Sequence, residues 1–218
     1  MRKFLLALLV SMMMVFGCGE YKPIPKSYVV PVEEEKPFYG KTGPILRVKA
    51  SLQQGHSILS SHGTAFLTKL GDQKIIVTAL HVIMGTETIK FYTEDRKYVD
   101  VVVRRIVAIP NLDAAIFYID HTSAFITPLE VDDVYLGDKV KTVGFPSSGE
   151  KAEFEGNPTT IVMGVTANVE SGMSGGPILK NGKAVGVIST KVISSSDGAR
   201  GTGTRLSDIF AALKHANK

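Results

Sequence analysis

The most regular feature of the chain is a series of short apolar or alternating runs, separated by turn residues, between positions 45 and 205. Val, Ile, Thr, Phe and Tyr dominate these runs, as is typical of β-strands. Turn signals such as Asn181-Gly182 favour hairpins. Two groups of six runs, with a break within 123–137, predict an all-β fold of two barrels in series. The predicted strands are 45–51, 63–70, 74–79, 88–92, 98–109 and 114–119, then 139–145, 151–155, 159–169, 177–179, 184–192 and 201–205.

Only the end of the chain has a helical pattern. Ser207 is a suitable N-cap for a helix over 208–215. Ile209, Phe210 and Leu213 fall on or near one face of that helix, which we expect to pack on the barrels.

The first 17 residues predict an export signal. Arg2 and Lys3 precede an apolar run over 4–16 that is too short to span a bilayer comfortably. The run leads to Val15-Phe16-Gly17-Cys18, which resembles the lipobox of bacterial lipoproteins, whose Cys is lipidated and becomes the new N-terminus. The resemblance implies a signal peptide over 1–17, lipidation of Cys18, and attachment to a bacterial envelope membrane. In a Gram-negative envelope, Gly19 favours the outer membrane, facing the periplasm. The alternative is an ordinary secretory signal with a stray cysteine.

A proline-rich segment follows the cysteine. Five prolines lie within 20–44, together with the acidic run Glu33-Glu34-Glu35. Proline blocks helix interiors and favours extended backbone, so residues 18–43 are interpreted as an anchor and tether before a domain over 44–218. The alternative is an arm packed on that domain, through 28–32 or Phe38-Tyr39.

Composition narrows the functional classes. The apolar content of 44% allows a sizeable core, and the net charge of +4 includes Arg2 and Lys3 of the signal. This balance gives no reason to expect a nucleic-acid partner. Cys18 is the only cysteine, so the domain folds without internal disulfides. The sequence has neither zinc-ligand spacing nor a phosphate-binding glycine loop, and no metal or cofactor is expected.

A serine flanked by glycines stands late in the chain, in Gly172-Met173-Ser174-Gly175-Gly176-Pro177. Glycine can adopt backbone angles that would aim the N–H groups of Gly172 and Ser174 at one point. Such a pair stabilises the oxyanion of a tetrahedral intermediate. The sequence therefore predicts Ser174 as a nucleophile, although a flexible surface turn has a similar composition.

A serine nucleophile needs a base, and His81 is the strongest candidate. It follows the apolar run 75–77 and precedes Val82-Ile83, so it should be held rigidly at the end of a buried strand. Neutral imidazole can accept a proton near pH 7. The alternative is a core histidine bonded to backbone.

The orienting carboxylate is predicted to be Asp113, which enters the apolar run Ala114-Ala115-Ile116. A carboxylate there needs hydrogen-bond donors, and a histidine N–H is suitable. An Asx turn or strand cap after Pro110-Asn111 is the alternative. Asp132 and Asp133 are rivals in a polar loop.

Taken together, these residues resemble the trypsin-like (chymotrypsin-fold) serine proteases, especially the bacterial HtrA/Deg and glutamyl-endopeptidase branches. Further likenesses are Gly63-Thr64-Ala65-Phe66, Val143-Gly144-Phe145-Pro146 and 184–189. The resemblance implies two six-stranded antiparallel Greek-key barrels with a C-terminal helix. It also implies a protein or peptide substrate and a substrate pocket lined by Asn168, Ser189, Thr190 and Gly201.

Met173 replaces an Asp that, in trypsin, binds a newly cut N-terminus and orders the oxyanion loop. Met173 cannot form that ion pair, so activation by such a cleavage is not expected. The leading interpretation is a lipid-anchored serine endopeptidase using His81, Asp113 and Ser174. The alternatives are an inert binding module on the same fold and another acyl hydrolase, such as an esterase.

Overall fold

Strands make up most of the described chain. The structure is a computed structural model that describes residues 35–122, 125–159, 163–192 and 198–216. The strands are β1 (Lys41–Thr42), β2 (Ile45–Gln54), β3 (Ser57–Leu70), β4 (Gln73–Ala79), β5 (Thr88–Tyr92), β6 (Tyr98–Val99), β7 (Val101–Ile109), β8 (Ala114–Thr122), β9 (Phe125–Ile126), β10 (Val140–Gly144), β11 (Ala152–Gly156), β12 (Gly164–Val165), β13 (Pro177–Lys180), β14 (Lys183–Lys191) and β15 (Gly201–Arg205). The helices are α1 (Leu80–Ile83) and α2 (Leu206–Ala216).

The first sheet has seven strands in the order β6-β5-β2-β3-β4-β8-β7, each antiparallel to its neighbours. The predicted strand 98–109 divides at Asp100 into β6 and β7, which lie at opposite edges of this sheet. This division accounts for a seventh strand where six were expected. In addition, β3 begins at Ser57 rather than at residue 63, because it extends a long hairpin with β2.

Strand β4 lies between two hydrophobic cores. Ile76 packs in the core of the first sheet, whereas Ile75 and Val77 face a second cluster. This follows from the alternation of side chains along a strand. The second cluster contains Val187 of β14 and Leu206 of α2, so β4 packs against the other sheet and the helix at once. Burial on both faces holds β4 firmly up to Ala79.

The second sheet has six strands in the order β11-β10-β13-β14-β15-β12, again antiparallel between neighbours. The turn between β13 and β14 is the predicted Asn181-Gly182, with both residues at positive φ (50° and 78°), as a type I′ turn requires. Within the predicted strand 159–169, the described residues form only the short β12.

The chain passes between the sheets inside the predicted interval 123–137. The Leu129 N–H donates to Leu67 O of the first sheet at 2.9 Å. The next residue, Glu130, accepts at its carbonyl from the N–H of Ala184 in the second sheet at 2.7 Å. The two curled antiparallel sheets, followed by α2, confirm the expected chymotrypsin-like fold.

Helix α2 begins at Leu206, two residues before the predicted start, directly after β15. Leu206, Ile209 and Leu213 are buried in the cluster shared with β4 and β14. Their spacing of three and four places them on one helical face.

Residues 35–43 pack on the domain, and the compact unit is Glu35–Lys218. The Phe38 N–H donates to Tyr98 O at 2.8 Å, and the Phe38 ring packs against the first core. Residues 35–43 thus follow the alternative of an arm packed on the domain rather than that of a free tether. Cys18 and the predicted signal over 1–17 lie outside the described residues. Within the described ranges, no helix is long and apolar enough to cross a membrane.

Candidate active site

Strand pairing brings His81 and Asp113 together. Ala79, the last residue of β4, pairs with Ala114, the first residue of β8. His81 therefore lies two residues beyond one strand, and Asp113 immediately precedes the other. His81 lies in the single turn α1, which follows the predicted strand 74–79, and the Leu80 N–H continues the pairing with β8 by donating to Asp113 O at 3.0 Å.

A 3₁₀ turn delivers the carboxylate. Pro110–Leu112 forms this turn, and Asp113 ends it with φ of 45°, in the left-handed region. Aspartate tolerates this region better than most residues. The backbone of Asp113 therefore caps the start of β8, as the structural alternative for this residue proposed. The same turn directs its side chain at His81, so the two interpretations are compatible.

Two hydrogen bonds join these residues. Asp113 Oδ2 accepts from His81 Nδ1 at 2.8 Å, and Oδ1 accepts from the His81 backbone N–H at 3.0 Å. The hydrogen bond to Asp113 raises the pKa of His81 above its ordinary 6.5, although partial burial opposes the shift. Partial burial alone raises the pKa of Asp113, but its bonds from His81 and the Ser189 hydroxyl lower that pKa below the ordinary 3.8. An imidazole held through Nδ1 presents Nε2 as its free acceptor.

Thr64 of the first sheet holds the loop that carries Ser174. Its N–H donates to Ser174 O at 2.8 Å, and its hydroxyl donates to Gly172 O at 2.9 Å. The same hydroxyl accepts from the Phe145 N–H at 2.9 Å. Thr64 is fully buried, so these bonds are shielded from water. Sequence reasoning assigned Thr64 no such role, since one threonine in a strand carries no local signal of it.

The N–H groups of Gly172 and Ser174 donate to no other described residue. The Ser171 carbonyl accepts from the Ser147 N–H at 2.8 Å. Because a trans peptide directs its C=O and N–H oppositely, the Gly172 N–H points away from Ser147. Gly172 has φ of 94°, and a Cβ there would lie 2.7 Å from Phe145 O, so glycine is required.

Met173 anchors the same loop in the second core. Its side chain is completely buried in a cluster that includes Ile178 and Ile188. It also packs closely on Gly144, where a Cβ would come within 2.9 Å of Met173 Cα. At the position where trypsin has an ion-paired Asp, this chain therefore has a buried methionine that holds the loop by apolar packing.

The structure does not join Ser174 to His81 by a hydrogen bond. Instead, the Ser174 hydroxyl donates to the Ser189 carbonyl at 2.8 Å. The Ser189 hydroxyl in turn donates to Asp113 Oδ2. Ser189 thus contacts both the candidate nucleophile and the candidate orienting carboxylate.

The other predicted pocket residues lie on neighbouring segments. Asn168 is exposed, and its Oδ1 accepts from Arg200 Nη1 at 3.1 Å. Thr190 is exposed near the end of β14. A Cβ at Gly201 would lie 2.3 Å from Val169 Cγ2, so Val169 fills the space beside Gly201.

The rival aspartates lie in the crossing between the sheets. The Asp132 N–H donates to Ala184 O at 3.1 Å, and Asp132 Oδ1 accepts from the Asp133 N–H at 2.8 Å. Among the described residues, neither contacts His81 through a hydrogen bond or ion pair.

The fold and the family comparison define a serine peptidase. The family model of the trypsin-like peptidase domain matches residues 63–187, more than half of the chain. The chain belongs to this family, and the resemblance to trypsin-like serine proteases is confirmed.

Two solved structures have a similar fold. One is the Rv3671c protease from M. tuberculosis in its active form, with a TM-score of 0.63, 21% identity, and coverage of 78% of this chain and 79% of that one. The other is the serine endoprotease from Yersinia pestis, with a TM-score of 0.63, 16% identity, and coverage of 79% and 62%. No curated protein matches the chain.

Proposed function

We propose that the protein is a serine endopeptidase in which His81 is the base, Asp113 orients it and Ser174 is the nucleophile. The observation that carries this proposal is the His81–Asp113 pair, bonded at 2.8 Å, in a site whose Gly172 and Ser174 N–H groups have no acceptor among the described residues and can therefore bind an oxyanion. Asp113 holds the ring through Nδ1, which leaves Nε2 to accept a proton.

The reaction begins with rotation of the Ser174 side chain about its Cα–Cβ bond. This rotation breaks the bond to Ser189 O and brings the hydroxyl to His81 Nε2. As Oγ bonds to the substrate carbonyl carbon, its proton passes to Nε2, and the negative carbonyl oxygen accepts from the Gly172 and Ser174 N–H groups.

The protonated His81 then gives its proton to the leaving nitrogen as the C–N bond breaks, leaving an ester on Ser174. Water attacks this ester and loses a proton to Nε2. The tetrahedral intermediate collapses, the bond from carbon to Oγ breaks, and the proton returns to Ser174. Asp113 stabilises the imidazolium of His81 in both acylation and deacylation, and it remains unprotonated throughout.

Labelling with a fluorophosphonate tests this proposal directly, since the reagent phosphonylates only an activated serine. We expect the wild-type protein to be labelled and Ser174→Ala to be unlabelled. Ser171→Ala is the matched control, because it removes an exposed hydroxyl three residues away and should leave labelling unchanged. Labelling of folded Ser174→Ala at the wild-type rate would exclude Ser174 as the nucleophile.

One observation favours a second candidate, an inert binding module. The Ser174 hydroxyl already has a good acceptor in Ser189 O, and a hydroxyl that stayed there would never reach His81. An inert module would be folded but unlabelled, and it would cleave no member of a peptide library. Cleavage of amide bonds, rather than of esters alone, separates an endopeptidase from an esterase.

We also propose that lipidation of Cys18 holds the domain at a bacterial envelope membrane, on the outer membrane and facing the periplasm in a Gram-negative cell. The support is the sequence 15–18 and the charged start Arg2-Lys3. Cys18→Ser should lose incorporation of labelled palmitate and move from the membrane to the soluble fraction. Retention of label by this variant would refute lipidation at Cys18.

A further inference from the structure

A cleft beside the oxyanion loop is lined by an excess of cations. It has a volume of about 390 Å³, and its walls include Arg47, Lys49, His62, Arg96 and Phe145. We call it the cationic cleft. It is separate from the predicted substrate pocket, because neither Asn168 nor Thr190 lines it.

Among the described residues, the arginines and the lysine of the cationic cleft form no ion pair with a carboxylate. Arg47 donates to two backbone carbonyls, Gly149 O at 2.7 Å and Glu94 O at 3.3 Å, and stacks 4.3 Å from the centre of the Phe145 ring. Within the part of the chain that the structure describes, no carboxylate oxygen lies within 4.0 Å of Arg47, Lys49 or Arg96. Partial burial, together with repulsion from Arg96, lowers the pKa of Arg47 below its ordinary value, although the charge of Glu94 opposes the shift. An excess of cations around a concave surface attracts anions.

One carboxylate, that of Glu35, also lines the cleft, but it is already bound. Glu35 Oε2 accepts from Lys90 Nζ at 2.8 Å, and the Tyr92 hydroxyl donates to the same carboxylate at 3.1 Å. Lys90 neutralises Glu35 from outside the lining of the cleft. The positive charges of Arg47, Lys49 and Arg96 inside the cleft therefore remain in excess.

The cleft adjoins the side of Ser174 that faces away from the predicted pocket. Ser174 lies between two strands: its hydroxyl bonds Ser189 of β14, and its carbonyl bonds Thr64 of β3. The predicted pocket for the acyl part of a substrate includes Ser189 and so lies on that side of Ser174. Gly63, which lines the cleft, precedes Thr64, and a Cβ there would lie 3.1 Å from Ser174 O. A substrate crossing Ser174 would therefore direct its leaving-group part toward the cleft.

We infer that the cationic cleft binds an acidic side chain on the leaving-group side of the substrate, and so selects peptides with Glu or Asp two or three residues beyond the cleaved bond. An extended peptide advances about 3.3 Å per residue, so its second and third residues beyond the cleaved bond lie several Å from Ser174. A cleft that adjoins the catalytic loop is at the distance where those residues would lie. This inference rests on the proposed endopeptidase function and adds its substrate preference.

The test uses internally quenched peptides built on one sequence that a peptide library shows to be cleaved. Three versions carry Glu, Gln or Lys at the second and third positions beyond the cleaved bond, with the acyl side unchanged. We expect kcat/KM to fall in the order Glu, Gln, Lys, with Glu about fivefold above Gln. The preference should shrink at high salt, because exposed charges are screened.

Variants locate the preference. Lys49→Gln combined with Arg96→Gln should bring the ratio of kcat/KM for the Glu peptide to kcat/KM for the Gln peptide close to one, because it removes two positive charges from the lining of the cleft. Glu35→Gln should raise the ratio, since it removes the one carboxylate of the cleft. Lys69→Gln, an exposed lysine beside the β3–β4 turn, is the matched control and should change nothing.

The outcomes separate the two proposals. Equal kcat/KM for all three peptides, or a Glu preference that survives the double variant, would overturn the inference about the cleft while leaving the peptidase intact. Failure to label with fluorophosphonate and to cleave any library peptide would instead overturn the proposed function.

Discussion

Replacing Met173 by alanine tests whether apolar packing orders the oxyanion loop. Met173 is completely buried in the second core, and truncating such a side chain to alanine costs about 2–5 kcal/mol of unfolding free energy. For a domain of this size, each kcal/mol lowers Tm by about 2–4 °C. We therefore expect Met173→Ala to melt about 4–20 °C lower, measured on a Ser174→Ala background to prevent self-cleavage.

The same change should weaken catalysis more than a loss of stability explains. Without its anchor, the loop no longer holds the Gly172 and Ser174 N–H groups in place, and losing one such donor costs about 10²–10³ in rate. The assay is the second-order rate of fluorophosphonate labelling at a temperature where the variant is fully folded by circular dichroism. We expect that rate to fall at least about tenfold.

Two variants control for packing. Met173→Leu keeps most of the volume and should remain close to wild type in both measurements. Met163→Ala truncates another buried methionine of the same cluster, away from the loop, so it should lower Tm without slowing labelling of the folded protein. If Met173→Ala and Met163→Ala were labelled equally fast, the anchoring argument would be refuted.

The remaining predictions concern the proton relay and Thr64. Because Asp113 raises the pKa of His81 and catalysis needs the neutral ring, labelling should rise with pH through a midpoint above 6.5. Asp113→Asn should lower that midpoint and cut the rate by about 10⁴, and an unchanged midpoint would refute the pairing. Thr64→Val leaves the buried Gly172 carbonyl and Phe145 N–H unpaired, so urea unfolding should show a loss of about 2–5 kcal/mol. Thr64→Ser should restore most of that loss, and equal stability of the two variants would contradict the assignment.

Local patterns predicted the candidate residues that lie next to strand ends. The apolar run before His81 and the one after Asp113 each indicate a buried strand, and the pairing of Ala79 with Ala114 brings their ends together. Gly172 was predicted to belong to the oxyanion loop because glycine can adopt backbone angles that other residues avoid, and its positive φ agrees with that reason. In each case the signal lies within a few residues of the feature.

Contacts between distant strands could not be predicted in this way. Thr64 and Gly172 are 108 positions apart, and nothing near either residue specifies their hydrogen bond. Met173 was noted for the ion pair it cannot form, but its burial depends on how β10 and β14 curl around it. The turn of the Ser174 hydroxyl toward Ser189 O likewise depends on the register between two segments.

The long-range contacts that hold the oxyanion loop are all uncharged. Thr64 holds the oxyanion loop from the first sheet through neutral hydrogen bonds, and Met173 holds it from the second core through apolar packing. Within the described residues, no ion pair supports this loop, so the contacts that hold it there are uncharged. Because hydrogen bonds and apolar packing of this kind form as the chain folds, we expect the loop to be ordered before a substrate binds.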